Sequence, residues 1–225
     1  MLEAVTDEVK MIFICSPGNP TCKAIPLADI QLIAESSFKG IVVVDEAYVD
    51  FSNQGTAISL VKTHPNIVVL QTLSKAFGLA GIRCGFAIGN DDIIQLMNNV
   101  KAPYNVNKLT SEVANNAMEN ISRLETNIKT LLEQREMVSK ALEQLEFVEK
   151  VYPSDSNFLL VRLKSLAQEV YVTMANRGVV CRYRGNEMHC NNCIRITIGS
   201  ADENKACLEM LETVYNELSA GTEKN

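Results

Sequence analysis

The chain has 225 residues, 47% hydrophobic and 21% charged, with a net charge of −6 and an isoelectric point of about 5.1. This is globular composition, enough for one large domain or two smaller ones, and its acidity argues against a nucleic-acid partner or an anionic membrane surface. No apolar run approaches the ~20 residues that cross a bilayer. The N-terminus, Met1-Leu-Glu-Ala-Val-Thr-Asp-Glu8, is acidic where a signal peptide is basic. The expectation is a cytoplasmic protein without a membrane segment. Seven cysteines, an odd number with irregular spacing, read as reduced thiols rather than a disulfide framework.

Three units in the first half repeat one pattern. Met11–Cys15 is apolar and runs into Ser16-Pro-Gly-Asn-Pro20. Ile41–Val44 is apolar and runs into Asp45-Glu-Ala-Tyr48. Ile67–Leu70 is apolar and runs into Thr72-Leu-Ser-Lys75. Such unbroken apolar runs predict strands buried on both faces. Between the first two, Pro26 suits a helix's first turn, and Leu27, Ile30, Ile33 and Ala34 form an inner stripe. The pattern is βαβ, so the sheet is expected to be largely parallel, with ligands bound at the carboxyl ends of its strands.

Further on, Asp91–Val100 reads as a helix with Asp91 near its cap, broken at Lys101-Ala-Pro-Tyr104. A long helical region is expected from about Ser111 to Glu149. Leu124, Ile128, Leu131, Leu132, Val138, Leu142 and Leu145 follow a 3.6-like spacing, interrupted by Arg135. A coiled coil is the rival to a helix that bridges two lobes. Short strands then appear at Asn157–Arg162, Val179–Arg182 and Cys193–Ile198. They alternate with helices near Leu166–Asn176 and Asp202–Leu218, the pattern of an α+β lobe. The fold class is α/β with a smaller α+β C-terminal domain; residues 1–118 form the larger domain, and 119–225 the bridging helix and smaller domain.

The polar segments at the sheet's carboxyl edge carry the chemistry. A lysine where a buried strand ends has a dry environment available, and a desolvated lysine presents a neutral amine that forms a Schiff base. Lys75 is in that position, with the hydroxyls of Thr72 and Ser74 and the cation of Arg83 available for a phosphate. The combination points to pyridoxal 5'-phosphate (PLP) on Lys75. Asp45 is placed to hold a proton on the pyridine nitrogen, and Asn19 and Tyr48 to donate to the ring oxygen. Each residue alone has a plainer reading: a solvated lysine, a capping aspartate, an asparagine in a structural turn, a packed tyrosine.

Taken in order, four motifs resemble the fold-type I PLP-dependent aminotransferases. They are Ser16-Pro-Gly-Asn-Pro-Thr21, Val44-Asp-Glu-Ala-Tyr48, Thr72-Leu-Ser-Lys-Ala-Phe-Gly78 with Ala80-Gly-Ile-Arg83, and Cys193-Ile-Arg-Ile-Thr-Ile-Gly199. Within that fold the chain is most similar to the histidinol-phosphate aminotransferase family, in a eukaryotic or fungal-like form marked by Arg184-Gly-Asn-Glu187. The resemblance implies PLP as cofactor and transamination between histidinol phosphate and 2-oxoglutarate, giving imidazole-acetol phosphate and glutamate in histidine biosynthesis. It implies Lys75, Asp45 and Tyr48 as catalytic residues. The same residues bind the cofactor together with Asn19, Thr72, Ser74 and Arg83. Substrate binding falls to Arg195, Arg182 and Asn157, and a homodimer is implied. The resemblance also implies that the family's N-terminal third has no counterpart here, so the chain is expected to be a fragment that binds PLP weakly and has little or no transaminase activity by itself. Where the family commonly has Gly after Asn19-Pro-Thr21, this chain has Cys22. A positive φ there would strain it.

Other readings stay open at this stage. Another fold-type I aminotransferase, a PLP-dependent decarboxylase, and an inactive domain with a structural or oligomeric role all accommodate the motifs. His189-Cys190-Asn-Asn-Cys193 with Cys181 suggests a metal or redox site, but a second cysteine pair is missing, and no metal is expected.

Overall fold

The computed structural model describes residues 2–222. The chain forms two compact units, one of residues 1–19 and 23–126, the other of 20–22 and 127–225. The first unit holds strands β1 (Met11–Cys15), β2 (Ile41–Asp45), β3 (Ile67–Thr72) and β4 (Gly85–Gly89). Its helices are α1 (Leu27–Ala34), α2 (Ile58–Val61), α3 (Asp91–Val100) and α4 (Lys108–Glu119). Helix α5 (Ile121–Glu143) begins in the first unit and continues into the second. The expected boundary at 118/119 falls within the last turn of α4, and the division by packing falls within α5 at 126/127.

The first sheet has the order β1-β2-β3-β4. Its first three strands are parallel and β4 is antiparallel to β3. Ile12, Ile14, Val42, Val44, Ile67 and Val69 pack with Ile30, Ala34 and Phe38 into one core, which explains why α1 lies across that face. Burial on both faces holds for the middle of β2 and β3, where Val42–Val44 and Ile67–Val69 are buried. It fails for β1: Met11 is 54% and Phe13 61% exposed. Its burial alternates: Ile12 and Ile14 face the core shared with α1, while Met11, Phe13 and Cys15 lie on the uncovered face. Strand β4 was not expected; Gly85 and Gly89 at its ends mask it as a loop.

The second unit contains a sheet of order β5-β6-β8-β7, from β5 (Val148–Val151), β6 (Phe158–Leu163), β7 (Arg182–Tyr183) and β8 (Cys193–Thr197), antiparallel throughout. Helices α6 (Ala167–Asn176) and α7 (Ala201–Thr222) complete it. Leu159, Val161, Leu163, Ile194 and Ile196 form one face of the sheet and share a core with Val170, Met174, Leu211 and Val214. The long helix ends at Glu143 rather than near Glu149, because Val148–Val151 turns back to pair with β6. Only Arg182 of the expected Val179–Arg182 strand pairs, joined by Tyr183.

Candidate active site

Register brings the three parallel strand ends level. Cys15 pairs with Asp45, and Asp45 with Leu70. Past that line the backbone remains stitched, Ser16 donating to the Asp45 carbonyl at 2.9 Å and Glu46 to the Leu70 carbonyl at 2.8 Å. The segments carrying Asn19, Asp45, Tyr48 and Lys75 therefore leave one edge of one sheet.

Lys75 sits at the apex of a closed turn. Leu73, 2% exposed, anchors it. Leu79 donates to the Leu73 carbonyl at 3.0 Å and Gly78 to the Lys75 carbonyl at 3.0 Å. Gly78 has φ 68°, a left-handed conformation that glycine adopts without penalty. The lysine is exposed, which corrects the expectation of a dry environment. The strand ends at Thr72, and the turn carries Lys75 beyond the buried layer. Its Nζ lies 5.3 Å from the centroid of the Tyr48 ring, so these two expected residues come together. Tyr48 is itself buried.

The two hydroxyls also meet. Thr72 Oγ1 is 2.8 Å from Ser74 Oγ and accepts the Ser74 N–H at 3.1 Å. The Cys84 carbonyl, next to Arg83, accepts from Leu73 N–H at 3.2 Å and lies 3.1 Å from Thr72 Oγ1. Arg83 is thereby tied by backbone to the Thr72–Ser74 turn. Its φ of 55° places it in the left-handed region, and its Nη1 donates to the Ala80 carbonyl at 3.1 Å. Asp45 is half-buried and accepts the Ala47 N–H at 3.1 Å. On the same sheet face, burial pushes the Cys15 thiol pKa up, and the Asp45 charge adds to the rise. Asn19 is exposed, in a loop closed by Gly18 N–H to the Lys23 carbonyl (2.9 Å) and Ile25 N–H to Ser16 Oγ (2.8 Å).

One residue of this edge had no expected role. Glu46 is 3% exposed. Its carboxylate accepts from Thr56 Oγ1 at 2.6 Å, Ala57 N–H at 2.6 Å and Gln71 Nε2 at 2.9 Å. A buried carboxylate demands such a set of donors. Glu46 thus locks the end of β2 to β3 and to the loop before α2, immediately beside Asp45. Nearby Asp50 has a raised pKa, first from burial and also from the Glu46 charge. The acidic pair Asp45-Glu46 was the available signal, but the partners of Glu46 lie 10, 11 and 25 residues away in sequence.

The second unit holds the expected substrate residues. Arg182 and Arg195 are directly opposed on β7 and β8, and Arg195 is opposed to Leu160 on β6. All three therefore project from the same sheet face. Opposed like charges destabilise a strand pair, so an anion received there relieves a repulsion as well as gaining bidentate pairing. The Arg195 guanidinium lies 4.8 Å from the Phe158 ring centroid, and Arg182 Nη1 donates to the Cys181 carbonyl at 3.0 Å. Asn157, half-buried, accepts Ile198 N–H at 2.9 Å through its carbonyl. Cys22 is fully buried with φ 66°, the strained conformation anticipated for it. Among the described residues, no group of three or more His, Cys, Asp or Glu side chains is arranged to hold a metal ion.

Known proteins are similar to this chain in sequence and architecture. The chain is 40% identical over 212 residues to the histidinol-phosphate aminotransferase of Flavobacterium johnsoniae, covering 94% of this chain and 60% of that protein. It is 42% identical over 217 residues to that of Saccharomyces cerevisiae, covering 92% and 56%. The chain thus spans about 60% of the length of the curated relatives it matches. A solved histidinol-phosphate aminotransferase from Clostridium acetobutylicum superimposes with a TM-score of 0.86 at 23% identity, over 94% of this chain and 65% of that one. One from Sinorhizobium meliloti, in complex with pyridoxal-5'-phosphate, gives 0.86 at 21% identity over 94% and 59%. At these identities the superpositions speak to the fold alone. The family model for aminotransferase class I and II matches residues 1–211, and the chain belongs to that family.

Proposed function

We propose that this chain carries the cofactor lysine and substrate arginines of a PLP-dependent aminotransferase. In this reading the enzyme exchanges an amino group between histidinol phosphate and 2-oxoglutarate in histidine biosynthesis. The relatives named above are histidinol-phosphate aminotransferases, which supports histidinol phosphate as the amino donor. The observation that carries the reading is the approach of the Lys75 amine to the Tyr48 ring, on the strand edge that also bears Asp45.

The groups present fit PLP in chemistry: an amine, a carboxylate at a strand end, a phenol and a pair of touching hydroxyls. Bound PLP supplies an electron sink for the substrate's Cα bonds. Lys75 holds the cofactor and moves the proton at Cα. Asp45 keeps a proton on the pyridine nitrogen, which makes the ring the stronger acceptor. Tyr48 and Asn19 donate to the ring oxygen, while Thr72, Ser74 and Arg83 bind phosphate. Arg195 and Arg182 grip the anionic groups of the substrates, a planar guanidinium suiting both carboxylate and phosphate, and Asn157 lines the same substrate region. The reading includes a homodimer acting in the cytoplasm, which sedimentation and fractionation test.

Titration with PLP tests the assignment. At high PLP concentration the chain is expected to develop a visible absorption band that Lys75→Ala lacks, with little glutamate formed from histidinol phosphate and 2-oxoglutarate by this chain alone. A band of equal strength in Lys75→Ala refutes the lysine's role. Amino transfer from aspartate or aromatic amino acids in preference to histidinol phosphate refutes the substrate.

A further inference from the structure

The apolar stripe of α5 runs through Leu131, Val138 and Leu142, which pack in the core of the second unit. Arg135 stands four residues after Leu131 and three before Val138, in the middle of that stripe. It is half-buried, and desolvation pulls its pKa down. A cation so placed requires a specific partner. Its Nη1 donates to the Ser156 carbonyl at 2.7 Å, and the charge of Asp155 opposes it nearby.

Ser156 is fully buried, and its turn is fastened from several sides. Ser154 Oγ donates to the Phe158 carbonyl at 2.6 Å. Ser156 N–H donates to Ser154 Oγ at 3.0 Å, and Asp155 N–H to the Cys22 carbonyl at 2.7 Å. The turn delivers Asn157 and then Phe158, whose ring lies against the Arg195 guanidinium.

We infer that Arg135 is a positioning residue for Arg195. It fixes the Ser154–Phe158 turn by its bond to the Ser156 carbonyl, and the Phe158 ring then sets the plane of the Arg195 guanidinium. The inference rests on the reading of Arg195 as the substrate-anion residue. Bidentate pairing with an anion depends on that plane, because the two N–H donors lie in it. An apolar residue would serve the helix stripe better, since a buried cation gives up its hydration. The arginine therefore serves the turn.

Nuclear magnetic resonance of arginine Nε–H groups in the full chain tests this. The Arg195 signal is identified by its loss in Arg195→Lys and is displaced by the ring current of Phe158. Arg135→Met is expected to return that signal toward the solvent-exposed position and to weaken 2-oxoglutarate binding about tenfold. Arg135→Lys keeps a donor for the Ser156 carbonyl and is expected to retain most of both. Arg135→Gln keeps a neutral donor, falls between the two, and decides the matter if the Met variant does not fold. Val138→Ala in the same helix lowers stability without moving the signal, which separates positioning from general loosening. An Arg195 signal unmoved in Arg135→Met or Arg135→Gln overturns the inference. Equal binding of 2-oxoglutarate by wild type and Arg195→Lys overturns the substrate reading of Arg195, while the signal still decides whether Arg135 orients it.

Discussion

Replacing Glu46 tests how the strand ends are held. Glu46→Ala deprives Ala57 N–H, Thr56 Oγ1 and Gln71 Nε2 of their common acceptor. A hydrogen bond to a charged group contributes about 1.5–3 kcal/mol, so three set a ceiling of about 4.5–9 kcal/mol. Two effects reduce it. The desolvation penalty of the carboxylate vanishes with the carboxylate. Thr56 and Gln71, half-buried with their polar atoms 3.4 Å apart, turn to each other and to water. Ala57, at 0% exposure, has no such recourse, and its orphaned N–H costs about 1–3 kcal/mol. The expected net loss for Glu46→Ala is about 3 kcal/mol. Glu46→Gln is milder, about 1–2 kcal/mol, because one oxygen still serves Ala57 while its NH₂ faces donors. A chain of two units need not unfold in one step. Hydrogen exchange of β2 and β3 amides, read apart from the second unit, is therefore the appropriate assay. A loss below about 0.5 kcal/mol in Glu46→Ala refutes the reasoning, since that is the range of an ordinary surface change.

Three other outcomes follow from named residues. Cys22 at φ 66° is expected to be replaced better by Gly than by Ala, by about 1 kcal/mol in denaturant unfolding, and the reverse order contradicts the strain. A Cβ on Gly40 would lie 2.1 Å from the Lys10 carbonyl oxygen, so Gly40→Ala is expected to lose about 2–3 kcal/mol by displacing backbone between β1 and β2. Burial pushes the thiols of Cys22 and Cys181 from 9.0 up to about 11. A raised folded-state value means that their stabilising contribution is full below about pH 9 and is lost as pH climbs toward 11. The second unit should weaken across that window, by about 2–3 kcal/mol per thiol, and a Cys22→Ala, Cys181→Ala double variant should flatten the profile of its melting temperature.

Much of this architecture was legible in the amino-acid order. The apolar runs located β2 and β3 because strands inside a parallel sheet have no polar face to confuse the pattern, and β1 because its uncovered face carries Met11 and Phe13 rather than polar residues. The two hydroxyls, Asp45, Tyr48 and Lys75 stood out as candidates because each lies in the short polar segment that follows such a run. What escaped reading depended on distant partners. Strand β5 hides at the end of a helical stretch, since Val148-Glu-Lys-Val151 suits either state until β6 pairs with it. Glu46 has no role legible in the sequence, because only tertiary packing buries it under three donors. The exposure of Lys75 was invisible because turn geometry after Thr72, closed by Gly78, decides how far the residue stands from the core.

The most direct test of the central claim is chemical. The chain is incubated with PLP, reduced with borohydride to fix any imine, digested and mapped by mass spectrometry. The expected result is a single principal modification at Lys75, prevented when excess amino substrate is present before reduction, and absent in Lys75→Arg. Label spread over surface lysines, or concentrated on a lysine other than Lys75, contradicts the assignment of this strand edge as the cofactor site.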